Sequence, residues 1–409
     1  MNISRRTLLT SASAGAAFTT LIPGVNISFA QEAQAGGDTL IVLFQRGACD
    51  WLQMLSPAGD PNYIAARPSI KVPTTGVAAG LGLDSLDGVD FFMSPSAPEL
   101  KALYDSGDLA FIHATGLNTA DRSHFTVQDS MEKGVADGEA AQNSGWLARH
   151  VQSTGGPASD LSVISSSSSN PVSLLGESGT LAIADAASFE ILGGNSNANV
   201  IRGMNPGGTP YQDIAINTLS AIDSVQGGLL KVPESDPGVQ YTNGALSKSL
   251  KSLALLIKMN LGVSVATVDF GSWDMHNSLP SEFAQRTTEF SQAISAFWAD
   301  MADYHGKITL VTMTEFGRRL QENANQGTDH GSASAMMVLS GNVKGGKIYG
   351  TWPGLASNQL SNGDLAVTTD YRQVLSEIMI ARHGEKNLEN VFPTVQYNPI
   401  GFMNAAAST

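Results

Sequence analysis

Apolar runs bounded by turn residues recur along the chain, and most of them are continuous rather than alternating. Continuous runs of β-branched and aliphatic residues are typical of strands that are buried on both faces of a mainly parallel sheet. The pattern therefore predicts buried strands over residues 39–44, 109–113, 161–164, 263–270, 307–314 and 335–339.

Helical patterns lie between these strands, over residues 97–104, 123–133, 146–151, 246–261, 282–304 and 370–383. Strands that alternate with helices predict the α/β class, here a three-layer α/β/α sandwich with a mainly parallel sheet. Residues 153–242 are richer in Gly, Ser, Asn and Pro but keep short apolar runs. We expect a loop-rich insertion beside the sheet there, rather than a linker between two domains.

The composition of the chain excludes several classes of protein. The chain has 409 residues, 42% of them hydrophobic, and 42 glycines without a fixed period, which excludes a disordered, collagen-like or coiled-coil protein. The formal net charge of -14 opposes the basic surface that nucleic acids require. Cys49 is the only cysteine in the sequence, so a metal would be held by oxygen and imidazole rather than by several thiolates.

The first 35 residues resemble a bacterial twin-arginine export signal. Arg5 and Arg6 precede a short, weakly apolar stretch that ends in small residues, with cleavage expected near Ala30 or Ala35. The alternative is a basic N-terminal arm. The stretch is too short and too polar for a stable membrane span. The export reading predicts a single mature domain over 36–409, passage through the twin-arginine machinery, and a periplasmic or extracellular location.

Several polar residues that can bind a metal ion lie next to the predicted strand ends, which is where open α/β sheets bind ligands. Asp50 follows the first strand and is either a ligand or the cap of a helix that begins at Trp51. Asp274 and His276 are two residues apart, so in extended backbone both point to the same side and suit a divalent first-row metal. The alternative is a polar loop with an exposed His276.

Two more groups of polar residues flank predicted strands. One follows the strand over 307–314, and the other precedes the strand over 335–339. Glu315 lies where the sheet presents ligands, and Arg318 has the planar fork that receives an anion. His330 lies between Asp329 and a glycine, and Asp329 is either a ligand, if the segment turns, or a support for neighbouring groups. A structural Glu–Arg pair and a simple turn are the alternatives. We expect these clusters to converge on one site: Asp50, Asp274, His276, Glu315 and His330.

Ser123 precedes a predicted helix and is flanked by Arg122 and His124. The field at a helix N-terminus favours an alkoxide and a bound anion. Ser123 is therefore the candidate nucleophile, with Arg122 and His124 as candidate substrate contacts. A helix cap formed by Asp121 or Ser123 is the alternative reading.

The order of these motifs resembles the bacterial domain of unknown function 1501 (DUF1501) family over nearly the whole mature chain. The matching motifs are Arg46-Gly47-Ala48-Cys49-Asp50, Arg122-Ser123-His124-Phe125, Gly145-Trp146-Leu147-Ala148-Arg149, Gly271-Ser272-Trp273-Asp274-Met275-His276, Thr314-Glu315-Phe316-Gly317-Arg318, Gly327-Thr328-Asp329-His330-Gly331 and Thr368-Thr369-Asp370-Tyr371-Arg372. The resemblance implies an exported protein with the sandwich of the alkaline phosphatase and sulfatase superfamily.

The resemblance also implies metal-assisted hydrolase ancestry. Asp274 and His276 would share a metal and His330 would be a further ligand, whereas Phe316 stands where the superfamily has a metal-binding histidine. The leading expectation is a hydrolase of small-molecule or polymer phosphate or sulfate esters that uses a divalent ion: Mn, Zn, Ca or Mg. The alternative is a noncatalytic secreted binding or assembly protein on the same fold.

Overall fold

Strands and helices alternate in the computed structural model, which describes residues 38–137, 139 and 142–404. The strands are β1 (Thr39–Phe44), β2 (Leu55–Ser56), β3 (Leu81–Leu86), β4 (Val89–Met93), β5 (Leu109–Gly116), β6 (Val163–Ser165), β7 (Leu181–Ala182), β8 (Val265–Asp269), β9 (Ile308–Met313), β10 (Arg318–Glu322), β11 (Thr328–His330), β12 (Ser334–Ser340), β13 (Lys347–Tyr349) and β14 (Thr369–Asp370). The helices are α1 (Trp51–Met54), α2 (Pro61–Ala66), α3 (Pro98–Asp105), α4 (His124–Lys133), α5 (Trp146–Ser153), α6 (Gly194–Met204), α7 (Pro210–Leu229), α8 (Ala245–Lys258), α9 (Leu279–Asp300), α10 (Tyr371–His383) and α11 (Leu388–Val391).

Within the described residues the central sheet has nine strands, in the order β13-β5-β12-β9-β1-β8-β6-β7 with β14 beside β5. Neighbouring strands are parallel except at β12, which is antiparallel to both β5 and β9. The sheet is therefore mainly parallel, as predicted.

Both faces of the sheet are covered by helices. Along β1, Leu40 and Val42 pack into a core with residues of α4, α5 and α10. Ile41 and Leu43 point the other way, into a core with residues of α3, α8 and α9. A strand buried on both faces needs apolar residues at every position, which explains the continuous runs. The predicted α/β/α sandwich is confirmed.

The segment predicted to be loop-rich, 153–242, contributes more regular structure than expected. It contains β6, which pairs with β8 in the central sheet, and the edge strand β7 beside it. It also contains helices α6 and α7. Glycine and asparagine have low helix propensity, so the composition of α6 conceals its helix from a reading of the sequence.

The direction of β12 decides where the site lies. Strands β1, β5, β8 and β9 run parallel and end at one edge of the sheet, where antiparallel β12 begins. The hairpin of β10 and β11 precedes β12, and in this hairpin Arg318 lies opposite His330. Residues that follow parallel strands and residues that precede β12 therefore meet at the carboxyl edge.

The predicted export segment lies outside the described residues, so the twin-arginine signal stays a prediction. The described residues belong to a compact unit, Ala33–Thr409. A membrane-spanning helix would need a long apolar stretch, and no helix in the described ranges has one.

Candidate metal centre

Three histidines and one aspartate meet at the carboxyl edge of the sheet. The Nε2 atom of His330, on β11, lies 3.1 Å from Nε2 of His124, at the start of α4. It also lies 3.0 Å from Nε2 of His276 and 3.1 Å from Oδ1 of Asp274, both in the loop after β8. Oδ1 of Asp274 is 3.0 Å from Nε2 of His276, and its Oδ2 is 3.5 Å from Nε2 of His124.

Each imidazole is held by its other nitrogen. Nδ1 of His330 donates to the carbonyl oxygen of Arg122 at 2.9 Å. Nδ1 of His124 donates to Oε1 of Glu315 at 2.5 Å, and Nδ1 of His276 donates to Oδ1 of Asp329 at 3.0 Å. These oxygens only accept, so Nδ1 carries the hydrogen and a neutral ring turns the lone pair of Nε2 toward the cluster.

The donor set fits a metal ion. Lone pairs that face each other at about 3 Å repel unless a proton or a cation lies between them. Ligand atoms around a tetrahedral ion with bonds of about 2.0 Å are separated by about 3.3 Å, close to the separations seen here. His124, Asp274 and His330 offer ligand atoms within 4.8 Å of one another. Imidazole-rich sets suit first-row transition ions better than Mg or Ca.

Arg318 fixes Asp274 in place. Burial would raise the pKa of Asp274, but the hydrogen bond and positive charge of Arg318 outweigh it and lower this pKa to about 2. Nη2 of Arg318 lies 2.6 Å from Oδ1 of Asp274. Asp274 is therefore ionised and ready to bind a cation at neutral pH.

The Arg318 guanidinium also joins the loops that carry the site. It donates to the carbonyl oxygens of Ala48 at 2.8 Å, Thr328 at 2.9 Å, Gly47 at 2.6 Å and Trp273 at 3.3 Å. Its side chain is only 1% exposed. With its donors directed at protein oxygens, Arg318 acts as a clamp on three loops.

Glycine permits the close approach of two of these loops. Gly47 has a φ of 109°, and a Cβ atom there would lie 2.7 Å from the backbone nitrogen of Asp274. A Cβ atom at Gly327 would lie 2.1 Å from the backbone carbon of His276. Any larger residue would push the Asp274–His276 loop away from the histidine cluster.

Glu315 holds the ring of His124 by a hydrogen bond and is not itself one of the residues of the histidine–aspartate cluster. Its side chain is fully buried, and Oε1 accepts from the backbone nitrogen of Gly47 at 2.9 Å and from Nε2 of Gln128 at 2.8 Å, besides His124. Burial would raise the pKa of Glu315, but the hydrogen bond from His124 and those from its other donors lower it. The same hydrogen bond raises the pKa of His124.

A family model described as "Protein of unknown function (DUF1501)" matches residues 110–385. The chain belongs to this family. The match covers β5 to α10 and includes His124, Asp274, His276 and His330. A comparison with curated proteins gives no match.

Several solved structures resemble this DUF1501 chain, but only weakly. The Zn complex of the C-terminal periplasmic domain of EcEptC from Escherichia coli has 8% identity and a TM-score of 0.38, over 76% of this chain and 74% of that one. The lipoteichoic acid synthase LtaP from Listeria monocytogenes has 9% identity and a TM-score of 0.34, over 82% and 75%. Alkaline phosphatase from the Antarctic bacterium TAB5 has 11% identity and a TM-score of 0.33, over 77% and 95%. TM-scores below 0.5 carry no argument about activity.

The structure brings most of the expected residues together. Asp274, His276 and His330 form the cluster, and Asp329 and Glu315 are each one hydrogen bond away from it. Asp329 supports the ring of His276, and this hydrogen bond lowers the pKa of Asp329. His124, expected as a substrate contact, lies inside the cluster instead.

Asp50 does not join the site. It occupies the N-cap of α1, as the alternative reading has it, and accepts from the backbone nitrogen of Gln53. Its other contacts are Arg67, in a buried ion pair at 2.9 Å, and the hydroxyl of Thr328 at 3.0 Å. Since both oxygens are engaged and the side chain is 3% exposed, the expectation that Asp50 binds the metal does not fit its contacts.

Asp50→Asn is expected to destabilise the fold without emptying the site. The substitution removes the charge that balances Arg67, whose side chain is fully buried. Losing a hydrogen bond between charged groups costs about 1.5–3 kcal/mol. Urea unfolding measures this cost, and metal titration of the same variant should match the wild type. A weaker metal affinity without a stability change would return Asp50 to the site.

Ser123 and Arg122 border the cluster in different ways. Ser123 is exposed at the N-cap of α4, where its hydroxyl makes no capping bond, and its backbone nitrogen donates to Asp121 at 2.7 Å. The Arg122 guanidinium forms an ion pair with Asp364 at 3.0 Å. Arg122 therefore contributes its carbonyl to His330, and its guanidinium shares the Asp364 carboxylate with Arg319.

We expect metal binding to weaken as the pH falls. A metal replaces the proton on a ligand, so each imidazole must be neutral to bind. Because Glu315 raises the pKa of His124, the protonated form of this ring, with a second hydrogen on Nε2, persists above the usual histidine pKa of about 6.5. Zn²⁺ affinity, measured by chelator competition, should fall about tenfold per pH unit for each displaced proton below that range. Equal affinity at pH values of about 5.5 and 8 would contradict imidazole ligation.

Proposed function

We propose that this chain is an exported metal-dependent hydrolase of phosphate or sulfate esters. The observation that carries the proposal is the convergence of three oriented Nε2 atoms on the ionised carboxylate of Asp274. The position of this cluster, at the carboxyl edge of a mainly parallel sheet, supports a role in binding and chemistry rather than in packing.

His124, Asp274 and His330 would hold the ion, with His276 on the solvent side. When bound, a divalent ion would supply Lewis-acid polarisation of a phosphoryl or sulfuryl oxygen. The side chains of Asp274 and His276 are 45% and 40% exposed, which supports access by an ester from solvent. Glu315, Asp329 and the Arg122 carbonyl keep the three rings in the binding tautomer.

Ser123 is the proposed nucleophile. It precedes His124 directly and is exposed, with a hydroxyl that makes no capping bond. In the proposed reaction the Ser123 hydroxyl gives its proton to solvent water and its oxygen bonds to phosphorus or sulfur, while the bond to the ester oxygen breaks and the alcohol leaves after taking a proton from water. A second water molecule would then cleave the seryl ester, which releases phosphate or sulfate and restores the hydroxyl. Arg318, expected from the sequence to receive an anion and so to be a catalytic residue, is assigned here to holding Asp274, because its donors already face protein oxygens.

An assay of chelator-stripped protein tests the proposal. Mn, Zn, Mg or Ca is added back singly, and hydrolysis of 4-nitrophenyl phosphate and 4-nitrophenyl sulfate is followed. Turnover with Zn or Mn but not with Mg or Ca is expected, because two of the three proposed ligands are imidazoles. Asp274→Asn, which keeps the shape of the side chain, should lose this turnover. Stoichiometric metal without turnover of either ester would contradict a hydrolase of these esters.

A noncatalytic secreted binding or assembly protein is the second candidate. The specific observation in its favour is that His124, Asp274, His276 and His330 already make four donors, enough to close a tetrahedral site, as structural zinc sites do. His276→Ala separates the two. Retained metal with retained turnover in this variant favours the enzyme, whereas loss of the metal from it favours the closed four-donor site of the binder.

Export is proposed from Arg5 and Arg6 and from the weakly apolar stretch that follows them and ends in small residues. Replacing both with lysine should leave the full chain inside the cytoplasm, measured by fractionation of a bacterial host. Unchanged export of the variant would remove the twin-arginine route.

A further inference from the structure

One face of α4 presents a stripe of polar residues toward the site. His124, Gln128 and Glu132 are spaced by four residues, so their side chains lie one above the other along the helix. Only His124 belongs to the histidine cluster. The four-residue spacing is the sequence signal that would have pointed to the other two.

Gln128 links this stripe to Glu315. Its Nε2 donates to Oε1 of Glu315 at 2.8 Å, and its Oε1 accepts from Nη1 of Arg46 at 3.1 Å. A guanidinium only donates and an ionised carboxylate only accepts. The amide of Gln128 therefore fits in one orientation only, with its NH₂ group toward Glu315.

Arg46 is itself anchored. Nη2 lies 2.9 Å from Oε1 of Glu132, and Nε lies 2.9 Å from Oδ1 of Asp269 at the end of β8. The guanidinium carbon lies 4.5 Å from the ring centroid of Phe44. Because Arg46 follows β1 and contacts residues of α4 and β8, its position is set by three elements of the fold.

We propose that Gln128, oriented by Arg46, is a positioning residue of the metal centre. It supplies a donor to Glu315, so Glu315 stays an acceptor toward Nδ1 of His124 and Nε2 of His124 stays directed at the ion. The proposal rests on the metal centre of the proposed function, and it does not depend on ester hydrolysis.

Co²⁺ binding to the stripped full-length protein tests this role, through the dissociation constant and the visible absorption spectrum. Gln128→Met removes the donor and keeps the unbranched shape, whereas Gln128→Glu turns a carboxylate toward Glu315. Outer partners of metal-binding histidines change metal affinity about 10–100-fold. We expect about tenfold weaker binding for Gln128→Met, a greater loss for Gln128→Glu, and an altered spectrum in both.

Asp129→Asn is the matched control, because Asp129 lies on the same helix, pairs with Lys133 and is 46% exposed. It should bind Co²⁺ as the wild type does. A urea midpoint that shifts in Gln128→Met while the Co²⁺ affinity and spectrum stay unchanged would reduce Gln128 to a structural role and overturn the proposal. A wild type that binds no Co²⁺ would overturn both this proposal and the metal centre, whereas intact binding without ester turnover would overturn the hydrolase alone.

Discussion

His330→Ala is expected to strip the metal from the protein. His330 is the residue whose Nε2 lies within 3.1 Å of the three other donor groups, His124, His276 and Asp274. Removing a direct ligand should cost more affinity than removing an outer partner, and therefore more than about 100-fold. The metal content after dialysis and the dissociation constant from chelator competition measure the loss.

His305→Ala is the control for a lost histidine. His305 stacks on Trp298 at a centroid distance of 3.7 Å, in a turn that precedes β9 and lies away from the carboxyl edge. This variant should hold metal as the wild type does. Equal metal content in wild type and His330→Ala would remove His330 from the ligands.

Arg318→Ala is expected to cause the greatest loss of stability among the site variants. It leaves the carbonyl oxygens of Gly47, Ala48 and Thr328 without their donor. An unsatisfied buried acceptor costs about 1–3 kcal/mol, and removing one partner of a buried ion pair costs about 3–5 kcal/mol. Because Asp274 is nearly half exposed, water compensates part of its loss, and we expect a total of about 3–5 kcal/mol.

Urea unfolding followed by tryptophan fluorescence measures this change, since Trp273 adjoins Asp274. Arg319→Ala is the matched control, because the neighbouring side chain is 44% exposed and its pair with Asp364 is long, at 3.3 Å. Asp364 is buried, but it keeps its ion pair with Arg122 at 3.0 Å, so the loss of the solvent-exposed Arg319 should cost only about 1 kcal/mol. Similar losses in the two variants would show that Arg318 is not the clamp of the site.

The sequence predicts the main sheet well because its strands are buried on both faces. The run 39–44 corresponds to β1, and the run 307–314 corresponds to β9 with one residue fewer at each end. Apolar continuity of this kind depends on local burial alone, so one sequence is sufficient to detect it.

Features that depend on distant contacts, or on residues with a low helix propensity, could not be predicted from the sequence in this way. The direction of β12 depends on the hairpin of β10 and β11, whose short strands carry charged residues. Helix α6 buries only Ala198 and lacks a wide apolar stripe. Neither feature leaves a clear period in the sequence.

The candidate site likewise combines residues that the sequence identifies with roles that only the folded chain determines. Asp274 and His276 were found from their spacing, and His330 from its glycine neighbour. Asp50 looked equivalent in sequence, but its role is decided by Arg67, which lies 17 positions away and pairs with it only in the folded chain. The role of His124 depends on Glu315, 191 positions distant. Sequence spacing identifies candidate ligands, whereas tertiary partners decide which of them are available.

The most direct test of the metal centre is anomalous diffraction from crystals of the mature protein grown with Zn²⁺ and measured on both sides of the zinc edge. The account predicts a strong anomalous peak enclosed by Nε2 of His124, Nε2 of His330 and the carboxylate of Asp274, with N–Zn distances of about 2.0–2.1 Å. A zinc-containing crystal with no peak at this position, or with its peak at other residues, would contradict it.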